Sequence, residues 1–330
     1  MTAFVIADTM RALSLNEIPD TEGLVLGQPL RMENVSEEHL LLTDIRSQPF
    51  FHVFSMRDAA YLYSWGVRGQ GPSPNEFVSV PVYVNVKGDT LIVYEAMRRQ
   101  LHHIRLSDGE PEELAVEELW YEGAIDPLNR IRRMNDSLWF ADYGTSIEET
   151  THEHAALRPG NREILFTFGE YPDSDLESFQ RYSSFMKSNL ANPDGSRFAA
   201  FYFHHNMFKI YNAEGTLLRH VYVQDPENGQ ERVLEPVTWL YRIAAGASDD
   251  YLYTLGIDAA AERFNAGSTD ADSSLFTTLE VWNWDGEPVY RARFDRLINL
   301  YTVSEQHGKI YAWSGLHDHT IFEYVLPDFR

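Results

Sequence analysis

The chain has 330 residues, 44% hydrophobic and 13% aromatic, which is ample for a large core and argues against disorder. A formal net charge of −23 repels phosphate backbones and anionic lipid surfaces, so no nucleic-acid partner is expected. The absence of cysteine excludes disulfides, thiol catalysis and cysteine-ligated zinc.

The first segment, Met1–Met10 (MTAFVIADTM), has no basic start and only a short apolar stretch, so it does not read as a signal peptide. The expected location is cytoplasmic if Met1 is the natural start, and periplasmic or surface-tethered if a leader has been removed. No run of about 18 apolar residues occurs, so no membrane insertion is expected. Residues 1–22 read as an extension. Gly23–Pro29 (GLVLGQP) reads as a spare strand.

From there one pattern recurs: a polar turn, then an apolar residue opening an alternating strand. Its copies are EHLLLTD (Glu38–Asp44), DTLIVYE (Asp89–Glu95), DSLWFAD (Asp136–Asp142), GSRFAAFY (Gly195–Tyr202), DYLYTLG (Asp250–Gly256) and GKIYAWSG (Gly308–Gly315). The first apolar positions are Leu40, Leu91, Leu138, Phe198, Leu252 and Ile310. A second column of polar-then-apolar pairs follows: His52-Val53, His103-Ile104, Glu163-Ile164, Lys209-Ile210, Glu280-Val281 and Glu323-Tyr324. Alternating outer strands close the units, clearest at Leu217–Val223 and Pro288–Phe294, and inner strands precede them, as at Val82–Val86 and Tyr241–Ala245. Asp-Gly and Asn-Asp turns join the runs because these residues tolerate positive φ.

Six units of four short antiparallel strands predict an all-β fold, a six-bladed β-propeller forming one domain over 1–330. The blades are expected near 30–66, 78–120, 124–170, 185–224, 239–295 and 298–330. The last unit lacks an obvious fourth strand, and Gly23–Pro29 is expected to pair with it and close the ring. Two β-sandwiches would not need six near-equal copies.

After the first blade comes Gly66–Phe77, GVRGQGPSPNEF. With the six-fold repeat, this segment resembles the bacterial TolB-like six-bladed propellers, matching at Gly69, Gln70, Gly71, Pro72, Glu76 and Phe77; Ser73-Pro74-Asn75 lengthens it. Members are mostly of unknown function, and the family's namesake binds protein partners through its propeller. The resemblance therefore implies a binding scaffold and carries no catalytic residue onto this chain. The segment also has a structural reading, in which glycine supplies unusual φ, proline stiffens and Phe77 plugs the core.

A propeller binds where loops converge on its axis. The loops joining second and third strands are expected at Asp44–Pro49, Glu95–Gln100, Tyr143–Arg162, His204–Met207, Gly256–Thr277 and Gly315–Thr320. They carry Arg46, Arg98, Arg99, His152, His154, His204, His205, His317 and His319, while the other loop set adds Arg68, Arg181, Tyr182, Trp239, Tyr241 and Arg242. Arginine forks onto carboxylates or phosphates, and aromatic faces stack on sugars. The candidate ligand-binding residues are Arg68, Gln70, Glu76, Arg98, Tyr143, His204, Tyr241, Arg242 and His317, for a protein partner or a small anionic or carbohydrate ligand. His152-x-His154 and His317-x-His319 each supply two imidazoles, which alone do not make a zinc site. Calcium suits the architecture better, because similar six-bladed lactonases hold it with Glu, Asn and Asp. Asn85, Asn135, Asn189 and Asn299 fall near inner strands, but no acid recurs at the matching position, so no cofactor is assigned. No Gly-x-Ser-x-Gly, P-loop or Rossmann fingerprint is present. The pattern favours a non-enzymatic binding propeller over a calcium-assisted hydrolase or lactonase and over a carbohydrate-binding protein.

Overall fold

The computed structural model describes residues 5–6, 9–17, 26–70, 76–81, 83–107, 111–119, 130–143, 151–172, 176–223, 238–267, 275–317 and 319–329. Its strands form six four-stranded antiparallel blades in chain order, the fold of a six-bladed β-propeller. Blade 1 is Pro29–Asn34, His39–Asp44, Phe51–Ser55 and Tyr61–Trp65. Blade 2 is Tyr83–Lys87, Thr90–Glu95, Gln100–Arg105 and Glu112–Glu118. Blade 3 is Arg132–Arg133, Trp139–Asp142, His152–Leu157 and Phe166–Glu170. Blade 4 is Lys187–Ala191, Arg197–Tyr202, Met207–Asn212 and Leu217–Tyr222. Blade 5 is Trp239–Ala247, Tyr251–Ala260, Thr278–Asn283 and Pro288–Arg293. Blade 6 is Leu300–Ser304, Lys309–Trp313 and Thr320–Val325.

The fourth strand of blade 6 does come from the N-terminal region, but it is Ser14–Glu17, antiparallel to Thr320–Val325. It lies upstream of the expected Gly23–Pro29. Of that expected strand, residues 23–25 lie outside the described residues. Gly27 and Gln28 instead donate their amides to the Asp44 carboxylate, and Pro29 opens the inner strand of blade 1. Upstream again, Val5–Ile6 adds in parallel to the outer strand of blade 5.

Blade 3 also departs from expectation. Its third strand is His152–Leu157, not the stretch around Glu163-Ile164. The expected Tyr143–Arg162 loop is therefore interrupted by a strand, and His154 belongs to the core. The apolar run Ala155–Leu157 pairs with Trp139–Ala141 and is buried on both faces, as a core strand is. In blade 5 the expected Gly256–Thr277 loop begins as a continuation of the second strand to Ala260, followed by a short helix, Ala261–Gly267.

The described residues fall into two compact units, one holding blades 3 to 5 and the other blades 1, 2 and 6. Within the first, Phe140, Phe168, Phe198 and Tyr211 fill the space between blades 3 and 4, and Phe201, Phe208, Leu252 and Trp282 that between blades 4 and 5. Within the second, Leu41, Phe51, Val53, Leu91 and Ile104 pack blade 1 on blade 2, and Leu40, Phe54, Tyr311 and Ile321 pack it on blade 6. First-column residues Leu40, Leu91, Phe198, Leu252 and Ile310 are fully buried. The repeat thus marks the residues that hold the sheets face to face.

Candidate functional site

The second strands of blades 1, 2 and 3 all end on a buried acid: Asp44, Glu95 and Asp142. Each lies four residues after its first-column residue, so the repeat places all three at the same end of their blades. Each takes hydrogen bonds from the segment that leads into its own blade. Asp44 accepts the amides of Gly27 and Gln28, and on its other side those of Arg46 and Ser47 at 2.8 and 3.0 Å. Glu95 accepts the Val78 amide. Asp142 accepts from the Arg130 guanidinium at 3.1 Å. Blades 4, 5 and 6 carry Tyr202, Gly256 and Ser314 at this position. In blade 5 the acid comes from the third strand: Glu280 sits beside Gly256, where a Cβ would lie 3.4 Å from its carboxyl carbon.

Around Glu95 the contacts extend outward. His102 is held between Glu95, 3.2 Å from Nε2, and Glu113, 2.7 Å from Nδ1. Burial disfavours the imidazolium, but the two carboxylates outweigh it, and the His102 pKa is raised. Burial likewise opposes ionisation of Glu95, yet His102, the Val78 amide and Arg98 hold its pKa below the ordinary value. Arg98 lies 3.6 Å from Glu95 and donates to the Gln70 carbonyl at 3.3 Å. Glu76 pairs through its backbone with Val67 and packs against Gly69, where a Cβ would overlap its carboxylate. The candidates Gln70, Glu76 and Arg98 are thus gathered beside blade 2. Arg68 lies in the same strand pair and is exposed. Phe77 is fully buried against Phe50, Phe51 and Trp65, as the structural reading of the segment expects. Gly71, Pro72 and residues 73–75 lie outside the described residues.

A second assembly joins blades 3 and 4. Glu153 is fully buried and receives Lys187 at 2.9 Å, Lys209 and the Tyr202 hydroxyl. Lys209 also donates to the Glu170 carbonyl at 2.7 Å. Burial would push the Glu153 carboxyl up, but the two ammonium groups bring it down to about 2. Burial opposes the Lys187 charge as well, and Glu153 and neighbouring acids more than restore it. Asp142 takes Asn189 at 2.6 Å and is also held well below the carboxylate range, burial being outweighed by Lys187, His154 and Arg130. His154 lies among Phe168, Phe198 and Tyr211, and burial lowers its pKa. Glu153 and Asp142 are thus held as carboxylates and Lys187 as an ammonium. A buried ionic set of this kind repays its desolvation only when the remaining donors and acceptors are met.

The remaining candidates separate. His204 bonds the Trp239 carbonyl at 2.7 Å, and the Tyr241 amide donates to Phe203. Arg242 is 1% exposed, so it does not project from a loop. It donates to Glu280 and Asn206, both at 3.0 Å, with Phe201 and Trp282 flanking its guanidinium. His204, Tyr241 and Arg242 therefore lie together on blades 4 and 5. Tyr143 is half-buried near Tyr171 of blade 3. His317 is exposed on blade 6, its ring edge-on to Phe322. Of the asparagines, Asn189 serves Asp142 and Asn299 accepts the Gly315 amide at 2.7 Å. Among the described residues no group of three or more His, Asp or Glu is placed to hold a metal ion.

No protein-family model matches the chain, and no curated protein does. Solved structures do. A member of the DUF4221 family from Bacteroides vulgatus superposes with a TM-score of 0.59 at 12% identity, over 95% of this chain and 96% of its own. A candidate exported protein from Bacteroides fragilis gives 0.56 at 8% identity, over 98% and 99%. The likeness is one of fold. It supports the propeller along the whole chain and leaves the ligand to be argued from side chains. Among the described residues no helix is long and apolar enough to cross a membrane.

Proposed function

We propose that this propeller is a non-enzymatic binding scaffold. It engages a small anionic or carbohydrate ligand, or a protein partner, through the loops that join second to third strands. One observation carries the reading: the acids ending the second strands of blades 1 to 3 are bonded to the segments that lead into those blades. Carboxylates committed in this way shape and stiffen loops, and a stiff platform binds with little ordering cost. Arg98 stands beside the acidic anchor of blade 2, and His204 follows Tyr202 at the end of the second strand of blade 4. The likeness of Gly69, Gln70, Glu76 and Phe77 to the TolB-like segment supports a partner-binding role. The exported designation of the Bacteroides fragilis protein supports a place outside the cytoplasm.

The test is thermal stabilisation by a panel of sugar acids and phosphorylated sugars, since a ligand bound only by the folded state raises Tm. At least one member is expected to raise it, with the shift lost in Arg98→Ala or His204→Ala. A panel without effect, or shifts that both variants keep, overturns the small-ligand reading. Millimolar calcium is the control arm, and a rise in Tm with calcium alone would favour a metal-assisted hydrolase.

A further inference from the structure

The outer strand of blade 2, Glu112–Glu118 (EELAVEE), is exposed, like that of blade 4, Leu217–Tyr222, and is set apart from it by its acid content. Six of its seven residues are exposed, among them Leu114 at 41% and Val116 at 45%. It is the edge of its sheet, and no described strand pairs along its outer side. The direction of its amides follows from the ladder. Leu119 donates inward to Arg99 at 2.8 Å, and Gln100 to Leu101 pair with Glu118 to Glu117. Antiparallel pairs alternate between bonded and non-bonded, so Glu117 and Ala115 point their backbone groups inward, and Glu118 and Val116 point theirs outward. Among the described residues the strand therefore presents open donors and acceptors beside exposed apolar side chains.

The same chain shows what such an edge accepts. The outer strand of blade 5 takes Val5–Ile6 as a fifth, parallel strand, paired at Tyr290 and Arg291. Blade 2 has no such addition among the described residues. Its edge differs in charge, with four glutamates in seven residues. Arg105, His102 and His103 answer part of that charge from the neighbouring strand. A free acidic edge repels further acidic strands and selects cationic ones.

From these features we propose that the outer edge of blade 2 is a strand-addition site for an extended basic peptide. The peptide alternates lysine or arginine with β-branched residues. Its backbone bonds the outward groups of Val116 and Glu118, its apolar residues cover Leu114 and Val116, and its cations face the glutamates. This edge adjoins the Glu95–Gln100 loop, where Glu118 pairs with Gln100, but it offers its own outward backbone groups.

The probe is a fluorescein-labelled peptide of alternating Lys and Val, followed by anisotropy at physiological salt with the full chain. A peptide of the same charge broken by proline controls for electrostatics alone. Val116→Pro removes one outward amide and leaves the inner ladder intact, a position where an edge strand tolerates proline. It is expected to weaken binding by about tenfold, the equivalent of one ladder hydrogen bond. Val116→Thr keeps the amide and is expected to bind as the parent does. In the parent, peptide should slow hydrogen exchange at Val116 and Glu118, a readout that stands even where Val116→Pro fails to fold. Equal binding of the proline-broken peptide, or no protection at those two amides, overturns the proposal and leaves the glutamates as guards against edge-to-edge aggregation.

Discussion

Replacing Glu153 by glutamine probes a fully buried charge. The carboxylate is fully buried and is shared by Lys187, Lys209 and the Tyr202 hydroxyl. Glutamine keeps the shape but leaves two ammonium groups facing a neutral amide that itself carries hydrogens. Removing one partner of a buried ion pair costs about 3–5 kcal/mol. With an unfolding entropy of about 0.7 kcal/mol/K for a chain of this length, the loss corresponds to a fall in Tm of roughly 4–7 °C. Differential scanning calorimetry at pH 7 measures it directly. The pH dependence has a definite sign. Glu153 is depressed from 4.5 to about 2 in the fold, so its contribution is complete above about 4.5 and is lost as pH falls through about 2. The gap between parent and Glu153→Gln should close over that window. A triple change of Glu153→Leu, Lys187→Met and Lys209→Met removes all three charges and should recover part of the loss. If Glu153→Gln melts within about 1 °C of the parent, the assembly does not hold blades 3 and 4 as described.

Other outcomes follow from single contacts. His102, raised in the fold by Glu95 and Glu113, contributes stability that is complete below about 6.5 and lost as pH rises through its folded value. His102→Gln should flatten stability in that range, as measured by urea unfolding between pH 6 and 9. Asp44→Asn weakens charge-assisted acceptance of four backbone amides and should cost about 2 kcal/mol, with faster hydrogen exchange at Gly27 and Gln28. Gly195→Ala should cost more than about 3 kcal/mol, because φ is +73° and the new Cβ would lie 1.9 Å from the Met134 carbonyl oxygen. Gly88→Ala, at φ +60° with nothing within 4 Å, should cost only about 1 kcal/mol in the same thermal melts.

The blades were legible because each repeats one apolar position at the start of its second strand, and Leu40, Leu91, Phe198, Leu252 and Ile310 are core residues. Blade 3 misled because Glu163-Ile164 has the polar-then-apolar form of the second column. The true third strand opens with His152 and Glu153, and a charged residue at 0% exposure looks like a loop residue until its partners are known. The ionic assembly was hidden for the same reason. Lys187, Tyr202, Lys209 and Glu153 come from four different strands, and no spacing along the chain announces that they meet. A partial signal did exist. Asp44, Glu95 and Asp142 each close a copy of the repeat at a fixed offset, which could have been read as three equivalent anchors. Arg242 shows the opposite error: it adjoins a loop in sequence, yet Glu280, two strands away, draws it inward.

The strand Ser14–Glu17 pairs with Thr320–Val325, so one ladder joins residues roughly 300 positions apart. During synthesis the N-terminal segment leaves the ribosome long before its partner exists. The intervening blades can form as their own hairpins emerge, but the last one is complete only once Thr320–Val325 has been made. Until Ser14–Glu17 pairs with it, the third strand of blade 6 offers an open edge to any neighbouring chain.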